Sequence, residues 1–306
     1  VPLTAAAAVG LAAGLDRLFA EPPARIHPVV WFGRLVAPAD REWRRPRIVA
    51  VAAAALLPLL AGGVAGGVVL AATGVHPAAG ALAAGLVLFS TTSLRMLLDA
   101  AREATALSEA DLDAARRSLR ALAGRDASSL SAGEVRSAAT ESAAENLADG
   151  LVAPLAAFAL VAPLSLPLAA AAAAWVKGVN TLDSMLGYRR KPVGWASARL
   201  DDFVMWLPAR LSAALIALAA AGGRPSAALD LLRRGARWAR EPPSPNSGWP
   251  MATLAAALSV ELAKPGVYAL NPSAGAPSAA EAARGVRVVG RAGILAYALA
   301  GVVAWL

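Results

Sequence analysis

Three carboxylates, Glu141, Glu145 and Asp149, recur every fourth residue in the stretch Ala-Thr-Glu-Ser-Ala-Ala-Glu-Asn-Leu-Ala-Asp-Gly. On a helix that spacing places all three on one face. Like charges so arranged repel, and a cation is needed to neutralise them: arginine side chains, or Mg²⁺ bound with substrate phosphates. A solvated helix face would also carry the pattern, but Asn146 and the Asp149–Gly150 step beside an apolar stretch favour a site. A second cluster runs from Lys177 through Asn180, Thr181, Asp183, Ser184 and Tyr188 to Arg189, Arg190 and Lys191. Polar groups this dense between apolar stretches need partners, and the lysines and arginines suit phosphate. The plainer alternative is a juxtamembrane loop in which Asn180 or Thr181 caps a helix and the basic run touches lipid headgroups. A third cluster, Arg199, Asp201 and Asp202 followed by Pro208 and Arg210, offers adjacent aspartates that chelate Mg²⁺ or simply open a helix. A fourth, Ser244-Pro245-Asn246-Ser247-Gly248-Trp249-Pro250, is a tight turn holding a rigid aromatic. His27, in a proline-rich stretch that ends at Gly33-Arg34, has the chemistry of a cobalt ligand or a base, although packing in a turn is the commoner role. There is no GxxxxGK[ST] loop, no GxGxxG after a strand and no GxSxG elbow, so a nucleotide site here is unconventional.

The elements that position these groups are set by composition. Of 306 residues, 58% are hydrophobic and only 16% charged, with a mean hydropathy of +0.55, which points to a membrane protein. The net charge of +8 fits loops facing an anionic leaflet or phosphate-rich substrates; no nucleic-acid module accompanies it. With no cysteine, disulfides, thiolate nucleophiles and cysteine-ligated metals are excluded. Alanine-rich tracts favour helix, and no period-two alternation suggests a barrel. The expected fold is all-α: a polytopic integral membrane protein with broken or re-entrant helices and cytoplasmic helical loops, in one membrane-integrated domain over 1–306. Residues 1–15 lack a basic leader and read as mature sequence. Spans are predicted over 48–73 and 78–94, a hairpin whose basic ends share the cytoplasmic side. The polar residues 98–149 read as a cytoplasmic helical segment. Pro154, Pro163 and Pro167 divide 151–176 into pieces too short to span singly, so a re-entrant pair is predicted there. Two further membrane helices are predicted over 203–222 and 286–306.

The order of these clusters resembles the adenosylcobinamide-phosphate synthase (CobD/CbiB) family nearly end to end. The matching stretches are Asp16 and Pro22 through His27-Pro28 to Gly33-Arg34; Gly124-Arg125-Asp126; Glu141 through Asn146 to Asp149-Gly150; Asn180-Thr181-Leu182-Asp183-Ser184-Met185; Ala198 to Asp202; Pro208-Ala209-Arg210; and Ser244-Pro245-Asn246 to Trp249-Pro250. The chain departs from the pattern at Glu21, where the family often has Asp, and at Met251, where it often has Glu. The resemblance implies an inner-membrane enzyme, its active site facing the cytoplasm, that uses ATP and Mg²⁺ to join (R)-1-aminopropan-2-ol or its O-phosphate to a propionate of adenosylcobyric acid. It implies Glu141, Glu145, Asp149 and Asp183 as catalytic candidates. Glu141, Glu145, Asp201 and Asp202 become candidate metal ligands. His27, Arg34, Arg125, Asn146, Lys177, Asn180, Thr181, Ser184, Arg199, Arg210, Asn246 and Trp249 become candidate contacts to substrate or phosphate. The expected partners are the corrinoid, the amine and the lipid bilayer, with no nucleic acid, and small-residue spans permit a homo-oligomer. Competing readings are an AmpE-like signalling protein and a small-molecule transporter, although inverted repeats and mid-span polar residues are not visible.

Overall fold

The computed structural model describes residues 2–122, 126–188 and 191–306, and they are overwhelmingly helical. In chain order the elements are α1 (Pro2–Phe19), α2 (Pro28–Val36), α3 (Pro46–Val75), α4 (Pro77–Thr91), α5 (Arg95–Ala110), α6 (Leu112–Ser118), α7 (Ala132–Leu147), α8 (Ala153–Val161), α9 (Leu166–Leu186), α10 (Trp195–Val204), α11 (Trp206–Ala220), α12 (Pro225–Gly235), α13 (Gly248–Leu258), β1 (Leu262–Lys264), β2 (Tyr268–Leu270) and α14 (Ala279–Trp305). The two strands form an antiparallel hairpin with Ala263 opposite Ala269. Among the described residues, five helices are long and apolar enough to cross a bilayer, and a pair broken at Met205 makes a sixth candidate. The chain is a multi-pass membrane protein.

Contacts divide it into two compact units, Val1–Ser93 with Asp149–Met205 and Ala296–Leu306, and Leu94–Ala148 with Trp206–Leu295. In the first unit, α3 and α9 approach through small residues. A Cβ at Gly62 would stand 2.9 Å from the Ala171 carbonyl oxygen, one at Gly66 3.0 Å from Ala171 Cβ, and one at Gly178 3.2 Å from Pro58 Cα. Any side chain there would force the helices apart, which is how membrane helices gain packing energy without a hydrophobic drive between them. The opposite face of α3 leaves Leu56, Leu59, Leu60, Val64, Val68 and Leu70 exposed, a surface suited to lipid. At 30 residues, about 45 Å long, α3 exceeds the hydrocarbon thickness of roughly 30 Å. In the second unit, α5 and α6 pack on α7 through Ala104, Ala115, Leu119, Val135, Ala138 and Ala139. Ser131 and Glu134 form a reciprocal capping box that starts α7.

The spans expected over 48–73 and 78–94 match α3 and α4, and α14 starts earlier than the predicted 286. The N-terminal stretch, given no crossing from sequence, forms α1, an 18-residue helix that packs on α4. The prolines divide 151–176 as expected, at the turn that holds Pro163. Pro154 follows the π turn at 148–152, and Pro167 sits in the first turn of α9, where the missing N–H costs nothing. The second piece does not stop at 176: α9 runs unbroken for 21 residues and carries Lys177 to Ser184 on its last turns. The cluster's first part, Lys177 to Ser184, is therefore helix; Tyr188 and Lys191 lie beyond its end, and Arg189 and Arg190 lie outside the described residues.

Candidate active site

Within the first unit, the end of α9 gathers acidic groups. Asn180, 8% exposed, sits between the side chains of Asp149 and Asp201, within hydrogen-bonding reach of both. Asp183, one turn further on, lies close enough to Asp149, Asp201 and Asp202 for their charges to act on it or it on them. One oxygen of Asp183 and one of Asp201 are fully buried with no hydrogen-bond partner. A buried carboxylate oxygen left this way costs about 1–3 kcal/mol or more, so the group stores strain that a bound cation would relieve. Glycine makes room for it: a methyl at Gly187 would land on Asp183 Oδ1.

Asp149 reaches this group because α7 does not continue as a regular α-helix. Residues Ala148–Val152 form a π turn, and the Gly150 carbonyl accepts a 2.9 Å hydrogen bond from the Ser93 N–H. A π turn is one residue wider than an α turn, so the four-residue spacing fails across it. The expectation that Glu141, Glu145 and Asp149 share one helix face is corrected on that ground. Asp149 belongs to the first unit, Glu141 and Glu145 to the second.

Lys177 projects from α9 where the charges of Asp149 and Glu21 act on it. Glu21 also stands 3.8 Å from His27 Nε2. His27 Nδ1 accepts the Val29 N–H at 3.2 Å, capping α2, so one ring nitrogen is committed to the fold and the other faces a carboxylate. Burial, reinforced by Lys177 and opposed by Glu21, lowers the pKa of His27 below its usual value. Accepting the Val29 N–H leaves Nδ1 without a proton, so the imidazole caps α2 in its neutral form. Thr181 and Ser184 donate their hydroxyl protons to the carbonyls of Lys177 and Asn180, at 2.8 and 2.9 Å, and keep only acceptor capacity for a ligand. Arg34 and Arg199 are exposed, and the charge of Arg199 acts on Asp202.

The second unit holds other candidates, several of them hydrogen-bonded into the fold. Glu141 is fully buried, with Tyr268 donating to Oε2 at 2.9 Å and Ser137 to Oε1 at 3.1 Å. Ser137 Oγ in turn accepts the Ala263 N–H at 2.8 Å, tying α7 to β1. Met251, where a glutamate is common in the family, places its sulfur 3.9 Å from the same tyrosine hydroxyl. Glu145 is half-buried, and the Asn146 amide donates to the Ser142 and Leu122 carbonyls at 2.9 and 3.4 Å. Arg210, Asn246 and Trp249 do come together. The Arg210 guanidinium lies between Trp206 and Trp249, 4.7 and 5.1 Å from the ring centres, and donates to Asn246 Oδ1 at 2.6 Å and to the Trp206 and Pro245 carbonyls. Two of its five N–H donors hold the 244–250 turn and a third its own helix at Trp206. Arg125 lies outside the described residues. No group of three or more His, Asp or Glu side chains among the described residues is arranged to hold a metal ion. The metal set expected from sequence, Glu141 and Glu145 with Asp201 and Asp202, is thus divided between the units. Sequence reasoning gave no role to Glu21, Gly187 or Tyr268. Glu21 alone carried a signal, as a departure from the family pattern.

The CobD/CbiB protein family model matches residues 9–290, which contain every one of these side chains. The chain belongs to the CobD/CbiB family. A probable cobalamin biosynthesis protein CobD from Methanothrix thermoacetophila is 37% identical over 305 residues, covering 94% of this chain and 93% of the relative. The cobalamin biosynthesis protein CobD of Geobacter metallireducens is 42% identical over 287 residues, covering 89% and 86%, and that of Klebsiella pneumoniae 39% over 265 residues, covering 83% and 81%. No solved structure matches the chain. Membership of the CobD/CbiB family places this chain among proteins of cobalamin biosynthesis.

Proposed function

We propose that the chain is the ATP-dependent amide synthase of corrinoid assembly, joining (R)-1-aminopropan-2-ol or its O-phosphate to a propionate of adenosylcobyric acid on the cytoplasmic side of the inner membrane. The observation that carries this reading is the group of aspartates around Asn180, two of them with an orphaned buried oxygen, in a CobD/CbiB chain. A carboxylate is a poor acylating agent. The propionate oxygen therefore takes the terminal phosphoryl group of ATP, giving an acyl phosphate and ADP. The amine nitrogen then attacks the acyl carbon, the C–O bond to phosphate breaks, and the nitrogen loses a proton.

The acidic balance of the first unit's site suits the amine end of that reaction. Glu21, Asp149, Asp183, Asp201 and Asp202 stand against Lys177 and Arg199, so the group favours a cation. In this reading Asp183 and Asp201 hold the substrate ammonium and one of them takes its proton. Asp149 fixes Lys177, which meets a phosphate oxygen. Mg²⁺ keeps several waters and takes one or two protein carboxylates beside substrate phosphates, so Asp201 and Asp202 fit that role without a closed cage; Glu141, already satisfied by Tyr268 and Ser137, does not. When bound, Mg²⁺ supplies charge neutralisation of the transferring phosphates. Purified protein incubated with adenosylcobyric acid, ATP, Mg²⁺ and each amine form, with the product followed by mass, tests the reading. An ATP-dependent amide supports it; ATP-independent turnover, or none with either amine, rejects it.

A further inference from the structure

An arginine collar precedes α3 in the first unit, built of residues other than the aspartate group. Arg34, Arg41, Arg44, Arg45 and Arg47 are all exposed, and the acidic residues among them are Asp40 and Glu42. Asp40 is paired with Lys191 at 2.8 Å, and the Arg41 guanidinium lies 4.0 Å over the Trp43 ring. This leaves Arg34, Arg44, Arg45 and Arg47 against Glu42. The segment is built, not loose. Trp43 packs against the cluster of Val36, Ala54, Leu182, Leu186 and Val193, and its indole N–H donates to the Ala39 carbonyl at 3.0 Å.

Beside the charges lies an uncovered apolar surface. In α2, Phe32 and Val36 face that same cluster, whereas Trp31 and Leu35, one turn apart, are 50% and 47% exposed. The collar ends where the lipid-suited face of α3 begins, at Ile48 and Val51, both more than half exposed. Arg44, Arg45 and Arg47 are therefore at headgroup depth once α3 is in a bilayer. A tryptophan and a leucine beside fixed guanidinium groups match a ligand with an anionic phosphodiester head and acyl tails.

We propose that the 34–47 collar, with Trp31 and Leu35, is a binding site for anionic phospholipid that selects phosphatidylglycerol-type headgroups over zwitterionic ones. Each arginine near an anionic surface is worth roughly a fivefold preference. Three multiply to about a hundredfold, and with exposed charges screened by salt a preference of about tenfold or more remains for the triple change to erase.

The test uses the full chain in detergent, delipidated and then exposed to an equimolar mixture of phosphatidylglycerol and phosphatidylcholine, with retained lipid read by native mass spectrometry. The wild type should retain phosphatidylglycerol about tenfold over phosphatidylcholine. Arg44→Gln/Arg45→Gln/Arg47→Gln should retain both equally, and the corresponding triple lysine variant should keep most of the preference. Arg44→Gln alone, a single exposed change, should lose severalfold and guards against misfolding of the triple variant. Millimolar glycerol phosphate should leave the bound lipid in place. No preference in the wild type, full preference in either glutamine variant, or displacement by glycerol phosphate would overturn the proposal, the last by identifying a site for free phosphate.

Discussion

Replacing Asp201 with asparagine should raise stability while removing activity. The side chain keeps its size, and the change puts an amide in place of a carboxyl group crowded by Asp149, Asp183 and Asp202. Asp201 Oδ1 is buried without a partner, a defect worth about 1–3 kcal/mol. The amide does not recover all of that, because its own N–H groups need acceptors, but nearby carboxylates supply them. A net gain of about 1–2 kcal/mol is expected, or a rise in unfolding temperature of very roughly 2–8 °C. Loss of a proton acceptor or cation ligand costs about 10²–10⁴-fold in rate. Thermal unfolding in detergent and the amide assay on the same preparation read both effects. A variant that is destabilised and inactive would show that Asp201 supports the fold. One that keeps full activity would show that the reacting group lies elsewhere.

Glu141→Gln should behave in the opposite way, losing about 1–2 kcal/mol as the charge-assisted bonds from Tyr268 and Ser137 weaken, with amide formation per folded molecule retained. Gly187→Ala drives a methyl into Asp183 Oδ1 and to 2.8 Å from the Asp183 backbone carbonyl, and should lower both the rate, about tenfold or more in the amide assay, and the melting temperature. Burial keeps the pKa of His27 below about 6.5 in the folded state, so the unfolded chain binds its proton first. The stability this contributes is complete above the unfolded value and is lost as pH falls through the folded one. His27→Asn, which preserves an N-cap acceptor, should flatten that loss between about pH 7.5 and 5; an unchanged slope in melting experiments would refute it. Glu145→Gln should fold normally and abolish amide formation, with partial rescue at high Mg²⁺ if a metal ligand was removed and none if a base was. Full activity of that variant at limiting Mg²⁺ would assign Glu145 to the scaffold.

The membrane class, the α3–α4 hairpin and the second-cluster residues of the site were legible because long apolar runs and dense polar clusters announce themselves in one dimension. The Glu141–Asp149 face was not. Its four-residue rhythm is regular in sequence, and only the π turn at 148–152 breaks it, a feature with no composition of its own. Pro163 divides the chain as expected, but Pro167 was harder to place, since a proline at the start of a helix and one in its middle look alike until the capping residue is known. Ser165, whose hydroxyl caps α9, was that clue. Glu141 and Arg210 read as reactive because charged groups near apolar sequence suggest function. Their partners, Tyr268 and the 245–249 turn, lie 127 and about 35 residues away, and only folding brings them together.

The central claim is that the aspartates around Asn180 carry ATP-dependent amide synthesis on a corrinoid. It is tested most directly by incubating wild-type protein and Asp201→Asn side by side with adenosylcobyric acid, ATP, Mg²⁺ and each amine form, then weighing the corrinoid. The wild type should yield the amide and ADP together with one of the amines, and the folded variant should leave adenosylcobyric acid unchanged. Equal product from both proteins, or none from the wild type with either amine, would contradict it.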